Sequence, residues 1–245
     1  RLGTTTLVPQ QVWCFGERNM WQRAVVAGHF AIRAGSSGAA PLPPEAPVPV
    51  LESTTVVKAP GGAANVAANL SALGCEVTLC GLRGDDSTGT DLMELLAERG
   101  IGITGVVVDP SRPTTHKLRV LAQGQHVLRI DRESKIEVDS TALSRLAEFL
   151  EEFIPQFDGI ICSDYQKGVL LPAILDIIFK VSAGANKRVI VDPKSSDFEL
   201  YKGATIITPN QFEVEKAVPI KIQDKVDLDR AAEYLLNLTH AESLL

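Results

Sequence analysis

The spacing of apolar residues changes along this chain, and each change predicts a different kind of element. Residues 1–43 hold no sustained strand or helix period; only the apolar run 24–28 reads as a strand, and the Pro/Gly/Ala/Ser-rich stretch 34–47 closes the region. From residue 48 the order becomes regular. Residues 48–58 alternate in the manner of strands, and 61–74 reads as a helix that opens on two glycines and stops at Gly74. Residues 76–82 follow as a strand, then 88–99 as a helix with Leu92, Leu95 and Leu96 on one face and Gly100 as its stop. The short β-branched runs 106–108, 115–121 and 126–130, separated by Pro, Gly and Gln, predict an antiparallel meander.

Beyond the meander, helix is predicted over 140–153, 171–181 and 228–238, and strand over 159–162, 188–191 and 204–208. Strands alternating with helices of this length form parallel βαβ units. The fold class is therefore α/β, a doubly wound, mostly parallel sheet flanked by helices, with a small second β-sheet. The domain boundary falls at residue 44, leaving 1–43 as an atypical N-terminal segment and 44–245 as one domain.

Charge and composition narrow the function. With 24 basic and 30 acidic residues the net charge is -6, which gives no electrostatic footprint for nucleic acid or an anionic membrane, so any bound phosphate must be held by a local cluster. No apolar run reaches the roughly 18 residues of a membrane span and the N-terminus lacks a signal-peptide pattern, so a cytoplasmic location is expected. The 4 cysteines, Cys14, Cys75, Cys80 and Cys162, read as buried thiols, because the Cys75–Cys80 pair lies in an apolar stretch with no accompanying histidine.

Ligands of a doubly wound sheet sit outside the carboxyl ends of its strands, so polar residues directly after apolar runs are the candidates for chemistry. Ile160-Ile161-Cys162 is followed by Ser163-Asp164-Tyr165-Gln166-Lys167-Gly168, Val189-Ile190-Val191 by Asp192-Pro193-Lys194, and Ile206-Ile207 by Thr208-Pro209-Asn210. Singly, each reads as a turn or helix cap. Together they bring Asp164, Asp192, Asn210 and two lysines to one edge, where carboxylates and ammonium groups can orient a polyol and balance phosphate charge. The spacing of Asn210 and Glu213 also fits a capping box, and Glu213 can serve both purposes. Gly61 and Gly62 open a predicted helix where a hydroxyl or anion can approach backbone N–H groups, although Gly-x-Gly-x-x-Gly does not follow a strand here. Lys117 and Arg119 lie on one strand face, continued by Gln125, Arg129 and Asp131 on the next; this reads as a solvated face or as a recognition face for a phosphorylated substrate.

In chain order, Pro44-Glu45-Ala46-Pro47-Val48-Pro49-Val50, Pro60-Gly61-Gly62-Ala63-Ala64-Asn65-Val66-Ala67, Gly81-Leu82-Arg83-Gly84-Asp85-Asp86, Lys117-Leu118-Arg119-Val120, Ser163-Asp164-Tyr165-Gln166-Lys167-Gly168, Val191-Asp192-Pro193-Lys194, Tyr201-Lys202-Gly203-Ala204-Thr205 and Thr208-Pro209-Asn210 with Glu213 resemble one family. It is the PfkB/ribokinase superfamily, in its heptose 7-phosphate kinase branch. The resemblance implies a ribokinase-like core whose small β-sheet is a lid, with lid strands around 48–58 and 115–130. It also implies Mg-ATP-dependent transfer of a phosphoryl group to O1 of a seven-carbon sugar 7-phosphate, in the pathway to lipopolysaccharide core heptose. Under it, Gly61, Gly62 and Asn65 contact sugar hydroxyls, and Lys117, Arg119, Gln125 and Arg129 serve the sugar or its distal phosphate. Asp164 and Lys167 line the floor between the substrates, and Asp192 and Lys194 approach the nucleotide phosphates. Asn210, Gln211, Phe212 and Glu213 match an Asn-x-x-Glu motif beside ATP, with Glu213 helping to place Mg²⁺. A homodimer through the lid strands is a further implication.

Two departures from the family pattern bear on activity. Family members begin with a strand ending in Gly-Asp, and here Val25-Val26-Ala27-Gly28-His29 puts a histidine where the sugar-binding acid is expected. The Gly-Ala-Gly-Asp motif, whose aspartate is the expected catalytic base, does not occur in the 245 residues, and neither does a nucleotidyltransferase domain. By the resemblance, Ser243-Leu244-Leu245 begins the strand that leads to this motif, and the aspartate is expected beyond Leu245. The catalytic base is therefore unassigned, the chain is expected to be inactive as given, and residues 205–208 are expected to form an exposed sheet edge. A noncatalytic sugar-phosphate-binding module, or a kinase for another sugar such as fructose or ribose, are the competing readings.

Overall fold

A strand that alternates its side chains between two faces is fully buried only when helices cover both of them, and the short apolar strands of this chain reach that arrangement. The computed structural model describes residues 22–37, 55–122 and 125–245. In chain order the elements are β1 (Arg23–Gly28), β2 (Phe30–Ser37), β3 (Thr55–Gly62), α1 (Ala63–Ala72), β4 (Glu76–Arg83), α2 (Ser87–Ala97), β5 (Gly102–Val108), β6 (His116–Ala122) and β7 (Gln125–Arg132). They continue with α3 (Ser140–Phe153), β8 (Gly159–Ser163), α4 (Pro172–Gly184), β9 (Arg188–Asp192), β10 (Ile206–Ile207), α5 (Gln211–Ala217), α6 (Lys225–Thr239) and β11 (Ser243–Leu244).

The larger sheet has the order β11-β10-β9-β8-β1-β4-β5, with every neighbouring pair parallel. Along β1, Val25 enters a core shared with Leu146, Leu150, Ile160, Leu175 and Ile178. Its neighbours Ala24 and Val26 enter a second core with Leu79, Leu92 and Leu96. Helices α3, α4 and α6 contribute to the first layer and α1 and α2 to the second. The smaller sheet, ordered β3-β2-β6-β7, is antiparallel at both of its outer pairs and parallel between β2 and β6.

Several boundaries differ from the sequence-based expectation. Residues 22–37, placed in the atypical segment, form the centre of both sheets: β1 lies between β4 and β8, and β2 between β3 and β6. Strand β1 lacks alternation because both of its faces are buried, and β2 holds the Gly-Ser-Ser end that propensity assigns to loops. The helix predicted over 61–74 begins at Ala63, since Gly61 and Gly62 complete β3 opposite Ala31 and Phe30. Residues 106–108 belong to β5 of the large sheet, not to the meander. Residues 205–208 are not an edge, because β11 pairs with β10. Leu245 extends that pairing, its N–H donating to the Ile207 carbonyl at 3.0 Å, so the strand expected to begin at Ser243-Leu244-Leu245 is present as a parallel neighbour of β10. The predicted lid residues 48–54 and Cys14 lie outside the described residues.

Cys80 and Cys162 are buried free thiols, and Cys75 is half-buried rather than buried as expected. Among the described residues no helix is long and apolar enough to cross a membrane.

The two sheets are joined at four places: His29 between β1 and β2, the β3–α1 junction, residues 109–115 and residues 133–139. The first two are tied together, since the Ala63 N–H donates to the His29 carbonyl at 2.9 Å. Gly62 takes φ 61° there, and a side chain at Gly28 would collide with the Ser163 carbonyl, so both turns require glycine. All four crossings border one crease between the sheets.

Candidate active site

The loops that leave the carboxyl ends of β8, β9 and β10 carry the acidic half of the site. Asp164 follows β8 and is buried; its Oδ1 accepts from the Gln166 N–H at 2.7 Å and its Oδ2 from the Tyr201 hydroxyl at 2.6 Å. The Asp164 N–H donates to the Asp192 carbonyl at 3.0 Å, which locks the β8 and β9 ends together. Burial and the nearby Glu213 and Asp164 carboxylates push Asp192 up to about 6, against the opposing Lys194 ammonium. Lys194 Nζ lies 2.9 Å from Glu213 Oε1, and this hydrogen bond holds the ammonium above its ordinary range.

Asn210 caps α5 through a reciprocal capping box: Asn210 Oδ1 accepts from the Glu213 N–H and Glu213 Oε2 from the Asn210 N–H, each at 3.0 Å. Both Glu213 oxygens therefore already have donors. Gln211 donates along the helix to Glu215, and Phe212 is exposed with the Lys216 ammonium 4.1 Å from its ring centre.

The basic half lines the crease. Lys117 on β6 reaches Asp131 at 3.4 Å and Glu133 at 3.5 Å, and Lys167, from the loop after β8, reaches Glu133 at 2.9 Å. Glu133 is held below the usual carboxylate range, chiefly by its hydrogen bond from Lys167. Arg119 is on the same face of β6 and stands directly opposite Arg129 on β7, where Arg129 pairs with Asp131 at 3.1 Å. Arg119 Nη1 is buried with no hydrogen-bond partner among the described residues. Gly62 and Asn65 sit at the start of α1, next to His29 across the Ala63–His29 bond, with Gly61 one residue earlier on β3.

Tyr165, from the loop after β8, reaches toward the basic half, its ring lying 6.5 Å from that of His29. Gln125 is not brought in. A register shift at Val120/Leu121 places it opposite Ala122, on the other face from Lys117 and Arg119, because a one-residue slip reverses the side of a strand. Reading from sequence also missed Arg112, Glu133 and Tyr201 as site residues. Arg112 and Glu133 lie in irregular crossings where no periodicity points inward, and Tyr201 acts only through what its hydroxyl ties together. The catalytic base, expected beyond Leu245, stays unassigned, and Leu245 itself belongs to the β10–β11 pairing and not to the crease.

The site thus belongs to an α/β fold in which polar loops gather at the carboxyl edge of a parallel sheet and a small second sheet is joined to it. The pfkB family carbohydrate kinase model matches residues 22–242, and the chain belongs to that family. That family is one of carbohydrate kinases. The chain is 45% identical over 207 residues to the bifunctional protein HldE of Geobacter sulfurreducens, covering 83% of this chain and 42% of that protein. It is 39% identical over 237 residues to the bifunctional protein HldE of Citrifermentans bemidjiense, covering 96% of this chain and 49% of that one. The chain thus spans less than half the length of these relatives. Among solved structures, phosphofructokinase-2 from Escherichia coli in its tetrameric inhibited form is similar with a TM-score of 0.69 at 19% identity, over 91% of this chain and 72% of that one. Arabidopsis thaliana ribokinase complexed with ribose and ATP gives a TM-score of 0.64 at 18% identity, over 91% of this chain and 70% of that one. These two likenesses concern the fold.

Proposed function

We propose that the crease binds a sugar phosphate, D-glycero-D-manno-heptose 7-phosphate, and that the chain represents the kinase that forms the 1,7-bisphosphate for ADP-heptose and lipopolysaccharide core synthesis. The observation that carries this reading is the concentration of positive charge in a chain of net charge -6. Lys117 and Lys167 converge on one carboxylate, and Arg119 faces Arg129 across the lid. Like charges directly opposite on a sheet are destabilising; Asp131 offsets Arg129, and a phosphate would do the same for Arg119, whose Nη1 has no hydrogen-bond partner among the described residues. The same cations favour a phosphorylated sugar over free ribose or fructose.

Asp192 and Lys194 face the nucleotide phosphates in this reading, and Asp164 lies between the two ligands. Glu213 spends its oxygens on Lys194 and Asn210, so it fits a Mg²⁺ brought by ATP through the metal's water shell better than by direct ligation. The metal would neutralise charge developing on the transferred phosphoryl group. On the outer face of the lid, Val56, Leu128 and Ile130 are exposed, and a second copy of the lid is the proposed cover. A cytoplasmic location accords with a nucleotide donor.

Calorimetric titration of the chain with heptose 7-phosphate, with and without a Mg-ATP analogue, tests the reading. Binding is expected, and Lys117→Ala should weaken it by roughly tenfold or more, the scale of one charge-assisted hydrogen bond. Fructose 6-phosphate and ribose serve as competitors. Tighter binding of either, or no binding of heptose 7-phosphate by the folded chain, overturns the substrate assignment.

A further inference from the structure

We propose that α2 is a rear latch on the smaller sheet: the ion pairs Lys58–Asp91 and Arg132–Asp86 hold that sheet back from the crease, and they part when a ligand draws it in. The inference rests on the sugar-phosphate reading above and adds a restraint that sets how tightly the crease binds.

Strand alternation puts the latch on the far side of the smaller sheet from the crease. Lys58 is paired through Ala34 with Leu118, whose chain neighbours Lys117 and Arg119 face the crease, and residues in register share a face. Arg132, one step beyond Asp131 on β7, lies on the same rear face as Lys58. Both reach α2, where Lys58 Nζ lies 2.7 Å from Asp91 Oδ2 and Arg132 Nη2 lies 3.7 Å from Asp86 Oδ2. The helix is the fixed member. Its Leu92 and Leu96 are buried in the second core, and Asp86 accepts from the N–H groups of Gly89 at 2.9 Å and Thr114 at 3.1 Å. The smaller sheet is the member able to pivot, since β3 ends on Gly62 with φ 61°. Lys58 acts about 13 Å from that junction, at the rise of an extended strand.

The two faces of the smaller sheet are unequally satisfied. At the rear Lys58 meets its carboxylate at 2.7 Å, whereas at the front Lys117 reaches Asp131 and Glu133 only at 3.4 and 3.5 Å. Arg119 Nη1, also at the front, has no hydrogen-bond partner among the described residues. Lys167 belongs to the other side of the crease, on the loop after β8 of the large sheet. A phosphate held by Lys167 on one side and by Lys117 and Arg119 on the other ties the sheets together. Its charge-assisted hydrogen bonds reach full strength only as the smaller sheet approaches. Such a ligand interacts differently with the near and far positions of the sheet, which is the condition for shifting the balance between them. The same approach carries Lys58 and Arg132 away from α2, so binding has to overcome the latch. Exposed ion pairs are individually weak, and Lys58 and Asp91 are both partly exposed. A weak pair is what a releasable latch requires, because one stronger than the phosphate contacts would keep the crease open in the presence of ligand.

The test compares calorimetric titrations of the full chain and its variants with heptose 7-phosphate. Asp91→Asn keeps the size of the side chain and removes its charge, and it should bind about two- to fivefold more tightly than wild type, the factor by which a weak pair holds back the competent arrangement. Lys58→Asp combined with Asp91→Lys exchanges the charges and should return the affinity to the wild-type value, which a merely local change in α2 would not do. Asp91→Asn at or below wild-type affinity, or no return in the exchanged variant, overturns the proposal and leaves the substrate reading intact. Acetylation of the wild-type lysines, followed by mass spectrometry, provides a second readout that needs no variant. On saturation with heptose 7-phosphate, Lys117 and Lys167 should become protected while Lys58 reacts faster by roughly the same two- to fivefold. Protection of Lys117 and Lys167 with Lys58 unchanged rejects the latch alone. Failure of the wild-type chain to bind heptose 7-phosphate overturns both readings.

Discussion

Asp192 and His29 are displaced from their ordinary protonation ranges in opposite directions. Asp192 is raised from 3.8 to about 6, so between those values the folded chain holds a proton that the unfolded chain has released, and stability falls as pH rises through the window. His29 is lowered from 6.5 to about 4, so over its window the unfolded chain holds the extra proton, and stability falls as pH drops. Asp192→Asn should therefore stabilise the chain at pH 7 by about 1 to 3 kcal/mol, and the gain should vanish by about pH 4. Urea unfolding at the two pH values measures it. Such tension between neighbouring charged groups is a feature of functional sites. The positions of Asp164, Asp192 and Asn210 were legible in the sequence because each follows a short apolar run. Their protonation was not, since it depends on Glu213 and Lys194 converging from other elements.

At the scale of elements, Tyr201 holds the site together. It is fully buried, donates to Asp164 Oδ2, and accepts from the N–H groups of Lys194 at 3.3 Å and Ser195 at 3.1 Å, so one hydroxyl ties the loops after β8 and β9. Tyr201→Phe keeps the ring but leaves a buried carboxylate oxygen and two N–H groups short of a partner. It should cost about 1 to 3 kcal/mol in urea unfolding and weaken binding of an ATP analogue, with a smaller effect on inorganic phosphate in the crease. The element most legible in advance was α3, predicted and observed over Ser140–Phe153, because Asp139 caps it and Ala142, Leu146 and Leu150 hold one buried stripe. Strand β1 was read in advance as the apolar run 24–28, though not its place at the sheet centre, and β2 was the least legible, since it draws its pairing from β3 and β6 rather than from its own composition.

For the molecule as a whole, the crossings between the sheets matter more than either sheet alone. His29, Arg112 and Glu133 come from three of them, and Lys167 from the loop after β8, so the crease exists only when both sheets are formed. Lys117 and Lys167 already share Glu133, and Lys117 also has Asp131. The crease thus contains its own counterion. An arriving phosphate ester displaces a tethered carboxylate rather than chloride from solution, and exchange of one fixed anion for another releases little salt. Affinity for heptose 7-phosphate should then fall only shallowly with added KCl, and Glu133→Gln should both tighten binding at low salt and steepen that dependence. An internal carboxylate of this kind buffers recognition against the ionic strength of the surrounding solution.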